Sequence, residues 1–407
     1  MPQRSLTAVS LFSGAGGLDI GLEQAGFEVV SMVEADADCV LTLKANQGRR
    51  IGTAGGTWSA YEHARILHRN IEEITIGDLV RTNENIMLLV GGPPCQPFSF
   101  CGKMRSLEDP RGNLFEHFVR LTKELLPPLI LLENVQGLVT AKGPQGVPGE
   151  VLAMVRSRFE ELGYGTRVAL LNAADYGVPQ RRVRFFMIAS RHEPLPSFPE
   201  PNHAKDASDG LLFGLKRWVN LGETLSDLPP PDVADTVRPK PRMEEKLLGL
   251  KPGTGLKTAG IREANRPSGH WGYRQDSFLA DPNLPSRTIR SAATPDWIFD
   301  RDGKLRRLTW RECAVLQSFP SDWEFIGGRT SKFKQIGNAV PPLLSHGIAL
   351  SLRESLEAMD RRSSPPDSAD LPSNFLRAIK YTISENRVNG ESRKERERIY
   401  LRDCESA

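Results

Sequence analysis

Several absences narrow the field before any motif is read. No run among the 407 residues approaches the roughly 20 consecutive apolar positions that cross a bilayer. The amino terminus has no charged segment leading into a signal-type apolar core, so a cytoplasmic protein without membrane association is expected. There are only five cysteines, Cys39, Cys95, Cys101, Cys313 and Cys404, with no Cys-x-x-Cys pair and no histidine at zinc-site spacing. An odd, scattered set argues against a disulfide framework and a structural zinc, and no metal is expected. The net charge of +3 is too small to demand a polyanionic partner, although a local basic face fits within it. What remains is an ordinary soluble composition, 39% apolar and 25% charged, in a chain long enough for two domains.

The stretch that organises the rest is Gly91-Gly92-Pro93-Pro94-Cys95-Gln96-Pro97-Phe98-Ser99. The apolar run Ile86 to Val90 before it has the length and branching of a buried parallel strand. Two glycines permit a sharp turn or close approach to a ligand, and three prolines stiffen the loop that follows. Cys95 is thereby held at the carboxyl end of a strand, the edge where open α/β sheets bind ligands. It reads as a nucleophile, against the alternative of a small buried core residue.

Upstream, residues 8–21 read as a first strand, a glycine turn and a helix start, which suits a ligand approached closely by backbone. Gly14-x-Gly16 is followed three residues later by Asp19 where the dinucleotide fingerprint wants glycine, so a pyrophosphate cofactor is disfavoured. A second strand from Phe27 ends at Glu34, placed either to accept hydrogen bonds from a ribose or as a solvated loop carboxylate. Residues 47–65 are Gly-rich and polar, and read as a loop insertion with little chemistry. A turn at 109–115 opens an amphipathic helix to about Leu126. The apolar run Leu129 to Leu132 then delivers Glu133, so Cys95 and Glu133 are expected on neighbouring strands of one parallel sheet. Arg182 and Arg184 alternate ahead of a buried strand, Phe185 to Ala189, and face the same side, as a strand-edge pair or as guanidiniums reaching a cleft.

Six blocks in this order, Phe12-Ser-Gly-Ala-Gly-Gly, Gly92-Pro-Pro-Cys-Gln-Pro-Phe-Ser, Glu133-Asn-Val, Gln180-x-Arg-x-Arg, Leu308-Thr-x-Arg-Glu-Cys-Ala-x-Leu-Gln-x-Phe-Pro and Gln335-Ile-Gly-Asn-Ala-Val-Pro, resemble the ordered motifs of DNA cytosine-5 methyltransferases over residues 8–350. The resemblance implies an α/β fold: a Rossmann-like S-adenosylmethionine-dependent methyltransferase sheet with helices on both faces, plus a smaller irregular recognition domain. It implies methyl transfer from S-adenosylmethionine to carbon 5 of a flipped-out cytosine in a specific double-stranded DNA sequence. In that scheme Cys95 adds to carbon 6, Glu133 acts as the acid at nitrogen 3, Arg184 holds the cytosine oxygen and orients Glu133, and Arg182 binds phosphate or supports the loop. Cofactor contacts carried over by position are Phe12, Gly14, Gly16, Gly17, Leu18, Glu34, Asn70, Ile71, Gly92, Pro94, Leu114, Asn338 and Val340. DNA contacts are Gln96, Ser99 and Thr288, joined by Trp271, Tyr273, Arg274 and Gln275, the most base-capable cluster of the variable span 191–284. A monomer is expected, acting either beside a cognate restriction endonuclease in the same system or as a solitary methylase.

The expected domains are a catalytic and cofactor-binding domain (1–190), a recognition domain (191–325), a segment returning to the catalytic domain (326–360), and a linker with a charged tail (361–407). Two departures from the family pattern stand out. Asn70 replaces the usual Asp before the Ile that meets adenine, and Ala35 replaces an aromatic after the ribose-binding acid, leaving stacking to Phe12 or elsewhere. An RNA cytosine methyltransferase shares the apparatus, and a catalytically silent homologue would lack it. An amino-group methyltransferase would want an aromatic in place of Cys95, and a nicotinamide oxidoreductase fails at Asp19.

Overall fold

The computed structural model describes residues 6–53, 56–81, 84–94, 113–205, 207, 214–256, 277–359 and 363–387. Cys95, Gln96, Ser99, Trp271, Tyr273, Arg274 and Gln275 lie outside them.

The amino-terminal half alternates strands and helices: β1 (Leu6–Leu11), α1 (Gly17–Gln24), β2 (Phe27–Glu34), α2 (Ala37–Asn46), a hairpin of β3 (Arg50–Thr53) and β4 (Gly56–Ser59), β5 (Arg65–His68), α3 (Ile76–Leu79) and β6 (Leu88–Gly91). Then come α4 (Asn113–Leu125), β7 (Leu129–Val135), α5 (Glu150–Glu160), β8 (Gly165–Asn172) and β9 (Val183–Ser190). Among the described residues the main sheet has seven strands in the order β5-β2-β1-β6-β7-β9-β8. Strands β5, β2, β1, β6 and β7 are mutually parallel, and β9 runs antiparallel between β7 and β8. Leu88 pairs with Leu129 and Gly91 with Leu132, so the strands leading to Cys95 and carrying Glu133 are neighbours, as expected.

The strands are apolar on both sides because both sides are covered. Along β7, Leu129 and Leu131 enter one core while Ile130 and Leu132 enter the other, and β9 divides Phe186 and Ile188 from Phe185 and Met187 in the same way. Side chains of α1 and of residues 308–356 fill the first core, and those of α4 and α5 fill the second.

The region read as irregular holds small sheets. Two short strands, β10 (His203–Ala204) and β11 (Lys216–Arg217), pair in parallel. Beyond α6 (Leu221–Ser226) and α7 (Pro241–Leu248), a four-stranded sheet is built from β12 (Thr254–Gly255), β13 (Phe278–Leu279), β14 (Trp297–Phe299) and β15 (Leu305–Arg307). Its strands are two or three residues long, too short to show a period of two in sequence. Residues 308–325, expected in the recognition domain, pack instead into the first core: Leu308, Trp310, Cys313, Leu316, Phe319, Trp323 and Phe325 are buried there with Ala8 and Ile20. Helix α8 (Trp310–Leu316) begins with a capping box between Thr309 and Glu312, and is followed by α9 (Arg329–Asn338) and α10 (Pro342–Ala358).

The expected linker and tail are partly structured. Residues 363–371 run along the free edge at β8, where Ala369 N donates to Thr166 O at 2.8 Å and Arg156 Nη2 to Ala369 O at 2.8 Å. They lead into α11 (Ser373–Arg387), whose Phe375 is wholly buried in the second core. No helix among the described residues is long and apolar enough to cross a membrane.

Candidate active site

Several of the described residues singled out in sequence gather at the carboxyl edge of the parallel strands. Phe12 to Leu18 follow β1, Glu34 ends β2, Asn70 and Ile71 follow β5, Gly92 and Pro94 follow β6, and Glu133 lies near the end of β7. The glycine turn depends on backbone conformations closed to most residues: Gly14 has φ +55° and Gly16 φ +83°. Gly14 faces open space, and its N–H donates to Glu34 Oε2 at 2.8 Å. Glu34 Oε1 accepts from Asp36 N at 2.7 Å. Each carboxylate oxygen keeps acceptor capacity for a ribose hydroxyl. A Cβ at Gly17 would lie 2.3 Å from Val340 O, so the chain that follows α9 closes on the turn. Asn70 caps the turn at Ile71 through its backbone alone, leaving the exposed amide side chain available to an adenine, while Ile71 is buried. Phe12 and Leu114 are half-buried against the second core, and Asn338 is exposed at the end of α9. This set fits S-adenosylmethionine: an open glycine face at Gly14 and a carboxylate at the end of the second strand. Leu18 sends its side chain into the first core, and its carbonyl accepts from Ser345 Oγ.

Around Glu133 the geometry is tight. Its Oε1 lies 3.3 Å from Arg184 Nε, with side-chain exposures of 13% and 16% respectively. Burial pushes its carboxyl up from the usual range, while Arg184 and then Arg182 pull it down. Burial prevails, which favours a protonated acid able to donate. A Cβ at Gly92 would sit 3.0 Å from Glu133 Oε2, so the root of the Pro-Pro loop lies directly over the carboxyl group. The neighbouring Asn134 donates from Nδ2 to Pro93 O at 3.0 Å, tying that loop to β7. Asn134 was visible in the sequence only as part of a motif; its role needed the distance.

Arg182 requires correction. It is fully buried, and it donates from Nη1 to Ile289 O at 3.1 Å and from Nη2 to Gly337 O at 2.7 Å. Burial and the nearby Arg184 oppose its charge, with Glu133 favouring it, yet a guanidinium remains protonated in proteins. Fully buried with both contacts made, it is closed to a phosphate, and it ties the segment at Ile289 to the end of α9 at Gly337. Gln180 works beside it, accepting from Ile289 N at 3.0 Å and donating to Gln317 Oε1. Thr288 is exposed on the strap these residues hold, its hydroxyl donating to Arg181 O at 2.8 Å. No cluster of metal-ligating side chains occurs among the described residues.

A family model described as C-5 cytosine-specific DNA methylase matches residues 6–354. The chain belongs to that family. Among curated relatives, the Type II methyltransferase M1.HphI of Haemophilus parahaemolyticus is 33% identical over 349 residues, covering 85% of this chain and 86% of that one. The Type II methyltransferase M.FnuDI of Fusobacterium nucleatum is 30% identical over 361 residues, covering 86% and 94%. In fold, the chain is similar to a Spodoptera frugiperda DNMT2 variant at 19% identity, with a TM-score of 0.59 over 87% of this chain and 100% of that one. As a C-5 cytosine-specific DNA methylase the chain transfers a methyl group to carbon 5 of cytosine in DNA, with S-adenosylmethionine as donor.

Proposed function

We propose that this DNA cytosine-5 methylase attacks carbon 6 of a flipped-out cytosine with the Cys95 thiolate, while Glu133 supplies the hydrogen-bonded proton at nitrogen 3. Adding a thiolate at carbon 6 breaks the ring's aromaticity and makes carbon 5 enamine-like, dividing one hard step into two. S-adenosylmethionine would supply the electrophilic methyl group and leave as S-adenosylhomocysteine, after which loss of the carbon-5 proton expels the Cys95 thiolate from carbon 6 and restores the aromatic ring. The observation that carries the reading is the Glu133 carboxyl, buried with its pKa raised and held against Arg184 beneath the Gly92 turn. Arg184 orients that acid and takes the cytosine carbonyl, and Arg182 holds the strap and α9 in place from below. A stacked base cannot reach such a cleft, so the target rotates out of the duplex at a cost of roughly a few kcal/mol.

The relatives named Type II methyltransferases support a role as the modification partner of a cognate endonuclease. In our reading the chain acts in the cytoplasm as a monomer on one double-stranded site. Reading of the flanking bases falls mainly to residues 191–284, with Trp271, Tyr273, Arg274 and Gln275 as its most base-capable cluster, joined by Thr288, Gln96 and Ser99. The deciding experiment incubates the protein and S-adenosylmethionine with duplex carrying 5-fluorocytosine at the methylated position. An irreversible adduct mapped by peptide mass spectrometry to Cys95 is expected. An adduct at Cys39, Cys101 or Cys313, or turnover by Cys95→Ser, would overturn the assignment.

A further inference from the structure

The segment 47–65, read in sequence as an insertion with little chemistry, reaches the glycine turn at Gly16 through Tyr61. The β3–β4 hairpin closes on itself through Gly48 N to Ala60 O at 2.7 Å and Ala60 N to Arg49 O at 3.0 Å. It then places Tyr61 entirely out of solvent, with φ at +49°, a region that ring-bearing residues rarely adopt. The Tyr61 hydroxyl donates to Gly16 O at 2.8 Å. That carbonyl already accepts the first hydrogen bond of α1, from Ile20 N at 2.9 Å. Its second lone pair is therefore filled from the hairpin, at the residue whose φ of +83° makes the turn.

Helix α1 holds the hairpin in return. Glu23 Oε2 accepts from Tyr61 N at 2.8 Å and from Trp58 Nε1 at 2.9 Å. Burial pushes the Glu23 carboxyl up to about 8, so a neutral acceptor does this work near pH 7. Trp323 closes the assembly, stacked on Trp58 at 6.3 Å and edge-on to Tyr61 at 5.8 Å. There is no slack in the fit: a Cβ at Gly16 would come within 2.5 Å of the Tyr61 hydroxyl. One phenolic oxygen thus touches the turn that receives the cofactor, and two hydrogen bonds from the opposite end of the same helix fix where that oxygen lies.

We propose that Tyr61, set in place by Glu23, is a positioning residue for the cofactor: its hydroxyl holds the Gly14–Gly17 turn in the conformation that S-adenosylmethionine binds. The inference rests on the assignment of that turn to the cofactor. In the full chain, Tyr61→Phe removes only the oxygen. Losing one such hydrogen bond corresponds to about 2- to 12-fold in affinity. The dissociation constant for S-adenosylhomocysteine and the KM for S-adenosylmethionine should rise by about that factor. The KM for DNA, and kcat at saturating cofactor, should move less than about twofold, a split that general loosening of the fold would not produce. Glu23→Gln, which keeps an acceptor for both N–H groups, should bind cofactor like the parent, whereas Glu23→Ala should reproduce the Tyr61→Phe defect.

Linkage provides a second measurement on the unmodified chain. If the contact favours cofactor binding, cofactor must stabilise the contact by the same factor, so amide exchange across 47–64 should slow when S-adenosylhomocysteine binds. Unchanged exchange there, cofactor affinity unaltered in Tyr61→Phe, or a parallel fall in every kinetic constant would each overturn the proposal. A parent chain that bound no S-adenosylhomocysteine would instead overturn the cofactor assignment on which it rests.

Discussion

Three buried ionisable side chains near the carboxyl edge of the sheet have fates set by their neighbours rather than by their type. Glu133 is raised by burial despite two arginines, so its protonated form should be the working one and kcat should fall as pH rises through its pKa. We predict that Glu133→Gln lowers kcat by about 10²–10⁴-fold, measured as methyl transfer under single-turnover conditions. Turnover like the parent's would make Glu133 a structural strand-end carboxylate. Arg182→Ala should act differently, by stranding the carbonyls of Ile289 and Gly337 at about 1–3 kcal/mol each. Its signature is a lower thermal midpoint, which phosphate binding alone would not give. Asp19 is wholly buried on α1; Ser10 is near, but neither oxygen has a hydrogen-bond partner of good geometry. Burial pushes its pKa from 3.8 up to about 7. The folded state therefore keeps a proton that the unfolded chain releases near pH 4, and stability drains away as pH rises from about 4 to about 7, in total on the order of 4 kcal/mol. Asp19→Asn should melt higher than the parent at pH 8, with the gap narrowing towards pH 4; a gap independent of pH would exclude this account.

Among elements, α11 is the one the family match does not cover, since that match ends at residue 354. It is nonetheless fastened to the catalytic half. Phe375 lies 6.2 Å from Phe185, and Phe185 is the β9 partner of Asn134, which holds the Pro93 carbonyl. The preceding strap pairs with Thr166 through Ala369 N and Ser368 Oγ. We predict that Phe375→Ala costs about 3–5 kcal/mol, read by urea denaturation, because a buried ring leaves a cavity that the two layers around it cannot close. A cost below about 1 kcal/mol would mean that the helix only rests on the surface.

For the whole molecule, what matters is how the region of small sheets, our proposed recognition region, is joined to the catalytic half. The strap at 286–290 makes part of that join. Gln180 and Arg182 grip Ile289 from both sides of its peptide, and Arg182 also grips Gly337, so the small sheets hang from the same side chains that set the cleft floor. Residues 308–325 belong to the main core and should not be exchanged with the recognition region. A hybrid in which 191–284 alone comes from a relative should therefore fold and methylate the relative's target, as bisulfite sequencing would report. An active hybrid that still methylated the original site would place recognition elsewhere. Within that span, Arg274→Ala should relax one position of the site, by about 1–3 kcal/mol of discrimination, with cofactor affinity unchanged.

Much of this was legible in the linear chain because it is local. Apolar runs of four to seven residues announced β1, β2, β6, β7 and β9, and the capable residues that follow three of them, Glu34, Cys95 and Glu133, pointed to the cleft. Motif order placed Glu133 beside the Pro-Pro loop before any distance was known. What the sequence could not show was where polar groups find partners. Arg182 meets carbonyls 107 and 155 residues away, and no local pattern separates that fate from a phosphate contact. Tyr61 sits in a stretch whose glycines read as loop, and only the packed hairpin turns its hydroxyl onto Gly16 O, 45 residues upstream. Phe375 lies in a helix whose one deeply buried ring is too little apolar signal to outweigh the charged run that follows it. Backbone preferences and hydrophobic periods are written residue by residue, whereas the satisfaction of buried donors and acceptors is decided only when distant segments close on one another.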